Sequence, residues 1–215
     1  MEKKTPATEQ IEQAEDIVAK ARANKKTLVG VSVALVVIIA AVLVWLLVAQ
    51  SGSRKADELI ARADAAQNDS IALTLYADAA KAGYKSGNRA KAEMGIRLYR
   101  EGKYEEALKY LDDASLDDEI AAAGVYTLQG DCHVNLDQYD QALKCYGKAI
   151  SKADKNPEIV PFVLIKEANI YRAQGKFADE AKAYKTIIDD YPTYVATTRV
   201  DIKKYYERAL ASQNQ

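Results

Sequence analysis

Gly102-Lys103-Tyr104-Glu105-Glu106-Ala107, Asp137-Gln138-Tyr139-Asp140-Gln141-Ala142 and Gly175-Lys176-Phe177-Ala178-Asp179-Glu180 are three versions of one pattern. The aromatic recurs at 104, 139 and 177, spacings of 35 and 38 residues. Self-similarity at about this period is the mark of a stacked helical repeat. The longer interval carries its extra residues around Asn156-Pro157, a loop signal.

Small residues recur with the aromatics. Gly95, Gly130 and Ala168 fall in the first helix of each unit. Ala107 with Ala114, and Ala142 with Ala149, fall in the second, and a large residue follows one turn on: Leu111, Tyr146 and Tyr184. A small side chain on each helix permits a close crossing, and the large one fills the gap to the neighbouring unit. Glu180 departs from the pattern by standing where alanine is expected, beside Ala181. The unit retains a terminal proline, Pro192.

These residues resemble the tetratricopeptide-repeat family over 87–192. Upstream, Tyr76 and Ala79 occupy second-helix places in a segment over 70–82, while its first helix, over 53–65, is degenerate and continues what precedes it. Downstream, 194–210 reads as a closing helix, with Lys203, Lys204, Glu207 and Arg208 giving the polar outer face that a terminal repeat needs. The expected organisation is a stub over 1–26, a transmembrane helix over 27–49, a linker helix and degenerate first repeat over 53–86, repeats over 87–192, and a capping helix and tail over 193–215. The fold class is all-α, with three to four repeats and a cap.

Residues 27–49 contain no charged side chain over 23 positions. As a helix they span about 34 Å, enough to cross a hydrocarbon core of about 30 Å. Val36-Val37-Ile38-Ile39 would favour a strand in water, but lipid leaves no partner for a strand's backbone groups and enforces helix. Trp45 sits near the far end, at interface depth. The apolar run is longer than a secretory core, 26 residues precede it, and no small-x-small cleavage site follows, so it reads as an uncleaved signal anchor. Lys20, Arg22, Lys25 and Lys26 crowd the near side, against Arg54, Lys55 and Arg62 beyond, which places the N-terminus in the cytoplasm. Gly30 and Ala34 form a weak small-xxx-small pair for packing in lipid. The stub itself reads as a short helix, with Thr5 as N-cap, Pro6 as first residue and a narrow stripe of Ile11, Ala14, Val18 and Ala21.

This layout of stub, single N-terminal span, repeats and cap resembles the bacterial ancillary subunits of the Sec translocon, related to the repeat domain of a cell-division coordinator. The resemblance implies an inner-membrane, single-pass protein with a periplasmic repeat domain beside the translocon, assisting exported proteins with chaperones. It implies protein partners: translocon subunits, exported polypeptides or envelope proteins. A structural subunit of another envelope complex and a division or peptidoglycan factor are the alternatives. Division coordinators usually add a trimerising coiled coil, and no sustained heptads occur here.

Chemistry is absent from the sequence pattern, so the expectation is a non-enzyme with no cofactor, metal or small-molecule substrate. His133 is the lone histidine, without a second ligand at metal spacing. Nucleophile-elbow, phosphate-loop, zinc-protease and dinucleotide signatures do not occur. Asp112-Asp113 and Asp117-Asp118-Glu119 lack the alternating oxygens and glycine of a calcium loop and read as a cap for a helix starting near Ile120. The fourteen tyrosines fall mostly at repeat core positions, and 30 basic against 31 acidic residues give a net charge of −1. No basic stripe accompanies them, which argues against nucleic acid. Cys132 and Cys145 read as half-buried thiols, with a disulfide as the alternative in an oxidising compartment.

In this repeat family the concave face is lined by the first helices. The register implies Arg89, Ala92, Ile96 and Tyr99, then Thr127, Asp131 and Val134, then Phe162, Ile165, Asn169 and Arg172. Ala92 and Ile96 stand where a carboxylate clamp would need Lys and Asn, so gripping of a chain terminus is not expected. The mix suits an extended segment or a helix held by apolar contacts and a few polar ones.

Overall fold

The computed structural model describes residues 6–82 and 84–213, and every regular element among them is an α-helix. Helix α1 runs Pro6–Asp64. The Thr5 cap lies outside the described residues, as do the side chains of Ile11, Ala14, Ala21, Arg22, Lys25 and Lys26.

Residues 1–51 form one compact unit and residues 52–215 a second. In the first, the segment of α1 from Val29 onward is long and apolar enough to cross a membrane, and none of its most apolar stretch is buried by protein. Val36, Val37, Ile38 and Ile39 all face outward. A water-soluble core helix of this composition would be covered; this one presents a bare aliphatic surface.

The second unit begins with the last turns of α1. Ala56, Ile60 and Ala63 are buried against Tyr76 and Ala79 of α2, Asp69–Ala80. The degenerate first helix is therefore the end of α1, doing the packing of a repeat helix. Asn68 caps α2, its Oδ1 accepting from the backbone N–H groups of Ser70 at 2.8 Å and Ile71 at 3.3 Å. Three further pairs follow: α3, Tyr84–Arg100, with α4, Tyr104–Asp112; α5, Glu119–Asn135, with α6, Tyr139–Lys152; and α7, Ile159–Ala173, with α8, Phe177–Asp190.

The turn inside each of these pairs is the same device. Gly102, Asp137 and Gly175, the first residues of the three repeated segments, take φ of 74°, 56° and 69°. The next residue's N–H then reaches back five residues: Lys103 to the carbonyl of Leu98 at 2.9 Å, Gln138 to His133 at 2.8 Å, and Lys176 to Tyr171 at 2.8 Å. This left-handed termination satisfies the carbonyls at a helix end and reverses the chain.

Close crossings sit where the small residues are. A β-carbon at Gly95 would overlap the side chain of Leu111, and one at Gly130 would overlap the ring of Tyr146. Ala107, Ala142, Ala149 and Ala168 are fully buried. Asp118 caps α5, its Oδ1 accepting from the Ala121 N–H at 2.7 Å, so the acidic run before Ile120 has a structural role.

One expected element differs. The closing helix over 194–210 is two helices, α9, Pro192–Thr197, and α10, Ile202–Gln213. Thr198 takes an extended conformation at ψ 148°. Its hydroxyl accepts from the Val200 N–H at 3.2 Å, and Asp201 accepts from the Lys204 N–H at 3.1 Å. Local hydroxyl and carboxylate acceptors thus end one helix and start the next. Helix α10 docks on α8, burying Ile202 and Ala209 and stacking Tyr205 on Tyr184 with ring centroids 5.8 Å apart, while α9 packs Tyr194 and Val195 against the same core.

Candidate functional site: the face of the first helices

The first helices α3, α5 and α7 lie side by side in the second unit. Two cavities open between them, with different chemistry.

The first, about 690 Å³, lies between α3 and α5 and is closed by the α4–α5 loop. Arg89, Ala92 and Ile96 of the expected trough line it, joined by Leu116, Val125 and Leu128. Gly124 lies on its wall, and a β-carbon there would meet nothing within 4 Å. At the mouth, Lys85 pairs with Asp117 at 2.6 Å. Both groups are well exposed, so the pair adds little stability.

The second cavity, about 330 Å³, lies between α5, α6 and α7, with Tyr99 reaching in from α3. Asp131, Val134 and Asn169 of the expected trough line it. Asp131 is held by three contacts: Lys166 Nζ lies 2.9 and 3.0 Å from its two oxygens, and the Tyr146 hydroxyl donates to Oδ1 at 2.6 Å. Burial, then the bond to anionic Asp131, pushes the Tyr146 phenol far above its ordinary range. Asp131 is therefore the joint through which α5, α6 and α7 are braced.

Four expected trough residues fall elsewhere. Thr127 is buried, its hydroxyl donating to the Ala123 carbonyl at 2.8 Å. Phe162 is half exposed beyond both cavities, with Lys166 Nζ 4.9 Å from its ring centre. Arg172 is directed at the buried Glu180, 3.2 Å away. Ile165 packs into the core formed by α7, α8 and α10.

Several lining residues were not anticipated. Leu116 lies in a loop without periodic signal. Ala121, Val125 and Leu128 form an i, i+4, i+7 stripe on α5 that belongs to the helix edge facing α3, one step off the expected register. Lys166 enters the second cavity from α7, 35 residues from its partner Asp131.

Neither cavity is lined by a histidine or a cysteine. His133 Nδ1 lies 2.7 Å from the Gln138 side-chain oxygen at the α5–α6 turn. Among the described residues no three His, Cys, Asp or Glu side chains come together as a metal site. Cys132 and Cys145 are free thiols.

Residues 163–194, spanning most of α7, α8 and the start of α9, match the family described as tetratricopeptide repeat. That supports reading the chain as a tetratricopeptide-repeat protein, a class of protein-interaction modules. Comparison with curated proteins gives no match.

Proposed function

We propose that this chain is a membrane-anchored scaffold that holds protein partners against its repeat domain. Its setting would be the inner membrane, with the N-terminus cytoplasmic and the repeats extracytoplasmic, as an ancillary component beside the translocon that serves exported polypeptides and their chaperones. One observation carries the core of the reading. The row of first helices leaves two open cavities, one lined mainly by aliphatic side chains and one with polar groups among them, surfaces suited to contact with a protein. The unburied apolar stretch of α1 supports the anchor, since bare aliphatic surface of that length is stable only in lipid. The repeat match supports a protein, rather than a small molecule or nucleic acid, as the occupant.

An affinity pull-down from solubilised membranes tests it, comparing the native chain with Ile96→Asp in the first cavity. The expected result is a set of proteins, translocon subunits among them, that is depleted by the substitution. Identical recovery with both chains would contradict the role of this face. Recovery of division proteins alone would overturn the translocon assignment and leave the scaffold reading standing.

A further inference from the structure

We infer that the cavity between α3 and α5 takes an amphipathic α-helix of a protein partner, with an aliphatic stripe bordered by an acidic and a basic residue one turn apart. This rests on the reading of the first-helix face as a protein-binding surface and specifies what one part of it accepts.

The argument begins with what the lining lacks. Ala92, Ile96, Leu116, Val125 and Leu128 supply carbon, and the backbone groups of α3 and α5 are already engaged within their own helices. Away from the charged border, an extended segment entering here would bring one N–H and one C=O per residue against aliphatic side chains that cannot bond them. Each buried group left unpaired opposes binding, because it loses its bond to water and gains none in return. A helix satisfies its own backbone and offers only side chains to the wall. The second cavity is the contrasting case: the side-chain amides of Asn135 and Asn169 stand beside the Asp131–Lys166 pair and could bond an extended backbone there.

Gly124 points the same way. A glycine inside a helix costs about 1 kcal/mol relative to alanine. Gly95 and Gly130 are required by Leu111 and Tyr146, but Gly124 has no neighbour within the protein that would meet a side chain. Its bare backbone, in the cavity that Ala92 also lines, leaves room for another helix to approach closely, which a larger side chain would prevent.

The charges set the border of the incoming stripe. Five charged residues line the cavity: Lys85, Arg89, Glu93, Asp117 and Asp118. Lys85 and Asp117 pair with one another, and Asp118 is engaged as the α5 cap. Arg89 and Glu93, one turn apart on α3, make no ion pair among the described residues. A complementary occupant therefore carries an acid opposite Arg89 and a base opposite Glu93.

The test uses the full chain in zwitterionic lipid nanodiscs and fluorescein-labelled peptides, with protein-free discs as baseline. Two helical peptides share a leucine stripe and differ in charge order, one Glu-then-Lys and one Lys-then-Glu at four-residue spacing. A third has a central proline that breaks the helix. Fluorescence anisotropy is expected to give saturable binding of one charge order, at least tenfold tighter than the other and than the proline peptide. Gly124→Leu, which fills open space and keeps the helix by circular dichroism, is expected to weaken it tenfold or more; Lys182→Ala on the second helix α8, away from both cavities, leaves it within twofold. The double reversal Arg89→Glu with Glu93→Arg is expected to exchange the preference between the two charge orders. Equal binding of the proline peptide, indifference to Gly124→Leu, or an unchanged preference in the reversed chain would overturn the inference. If these fail while trough-dependent partners are still recovered from membranes, the scaffold reading survives and only the helical occupant is wrong.

Discussion

Arg208 of α10 donates to the wholly buried carboxylate of Glu180 on α8 at 2.9 Å, while Arg172 of α7 approaches the same carboxylate from the other side at 3.2 Å. Glu180 is the residue that breaks the repeat pattern by replacing alanine. It is where the cap attaches. A charge with no exposure is stable only while it is paired, and the two arginine side chains that pair it are each partly exposed.

That arrangement predicts unequal costs. Arg208→Met leaves a buried carboxylate with one partner and is expected to destabilise the repeat domain by about 2–4 kcal/mol. Glu180→Ala restores the repeat residue and leaves two arginines that water can reach; it is expected to cost roughly half as much or less. Urea unfolding followed by circular dichroism would distinguish them. A larger loss for Glu180→Ala would show that the carboxylate's packing, not its pairing, is what matters.

Two glycines of one helix should respond oppositely. Gly130→Ala pushes a methyl group into the Tyr146 ring and is expected to lower stability by about 1–3 kcal/mol. Gly124→Ala meets open space and is expected to raise it by about 0.5–1 kcal/mol. Thermal melts of both variants check this directly.

Burial raises the Glu167 carboxyl from its ordinary 4.5 to about 7. Below pH 4.5 the group is protonated in folded and unfolded chains alike and contributes no difference. Between the two values the folded chain keeps a proton that the unfolded chain has lost, so stability falls as pH rises and the penalty is complete above 7. Glu167→Gln is expected to be more stable than the native chain at pH 8 by on the order of 1–3 kcal/mol, and equal to it at pH 4. Denaturant titrations at the two pH values would reveal it; a gap that grows on acidification would contradict the assignment.

Burial also pushes the Cys132 thiol up to about 12. The thiolate is the reactive form, so Cys132 should resist iodoacetamide at pH 8 in the folded chain and label only on unfolding. Mass spectrometry of single-cysteine variants would follow it. Rapid labelling of folded Cys132 would mean that α5 and α6 open far more readily than their packing implies.

Most of the fold could be read in the sequence because its determinants are local and repeated. The small residues at 95 and 130 announce their own crossings with Leu111 and Tyr146, 16 positions on. The aromatic spacing locates the turns, and the charge-free run over 27–49 marks the apolar helix. What stayed hidden depends on distant pairing. Glu180 finds Arg208 28 residues later, and Asp131 finds Lys166 35 residues later, with no period to signal either. The break in the closing helix has no periodic signal, because Thr198 and Asp201 act through single side-chain bonds to the backbone. The expected trough register placed seven residues in the two cavities, yet it could not foresee that Thr127 turns inward or that Arg172 is committed to Glu180.

Photocrosslinking in living cells bears most directly on the claim that the row of first helices is the working surface. A photoreactive residue would be placed at Ile96 and at Asn169, one in each cavity, and at Lys152 and Lys182 on second helices. The account predicts discrete protein adducts from 96 and 169 and little from 152 and 182. Adducts only from the second helices would contradict it, and so would none from any position.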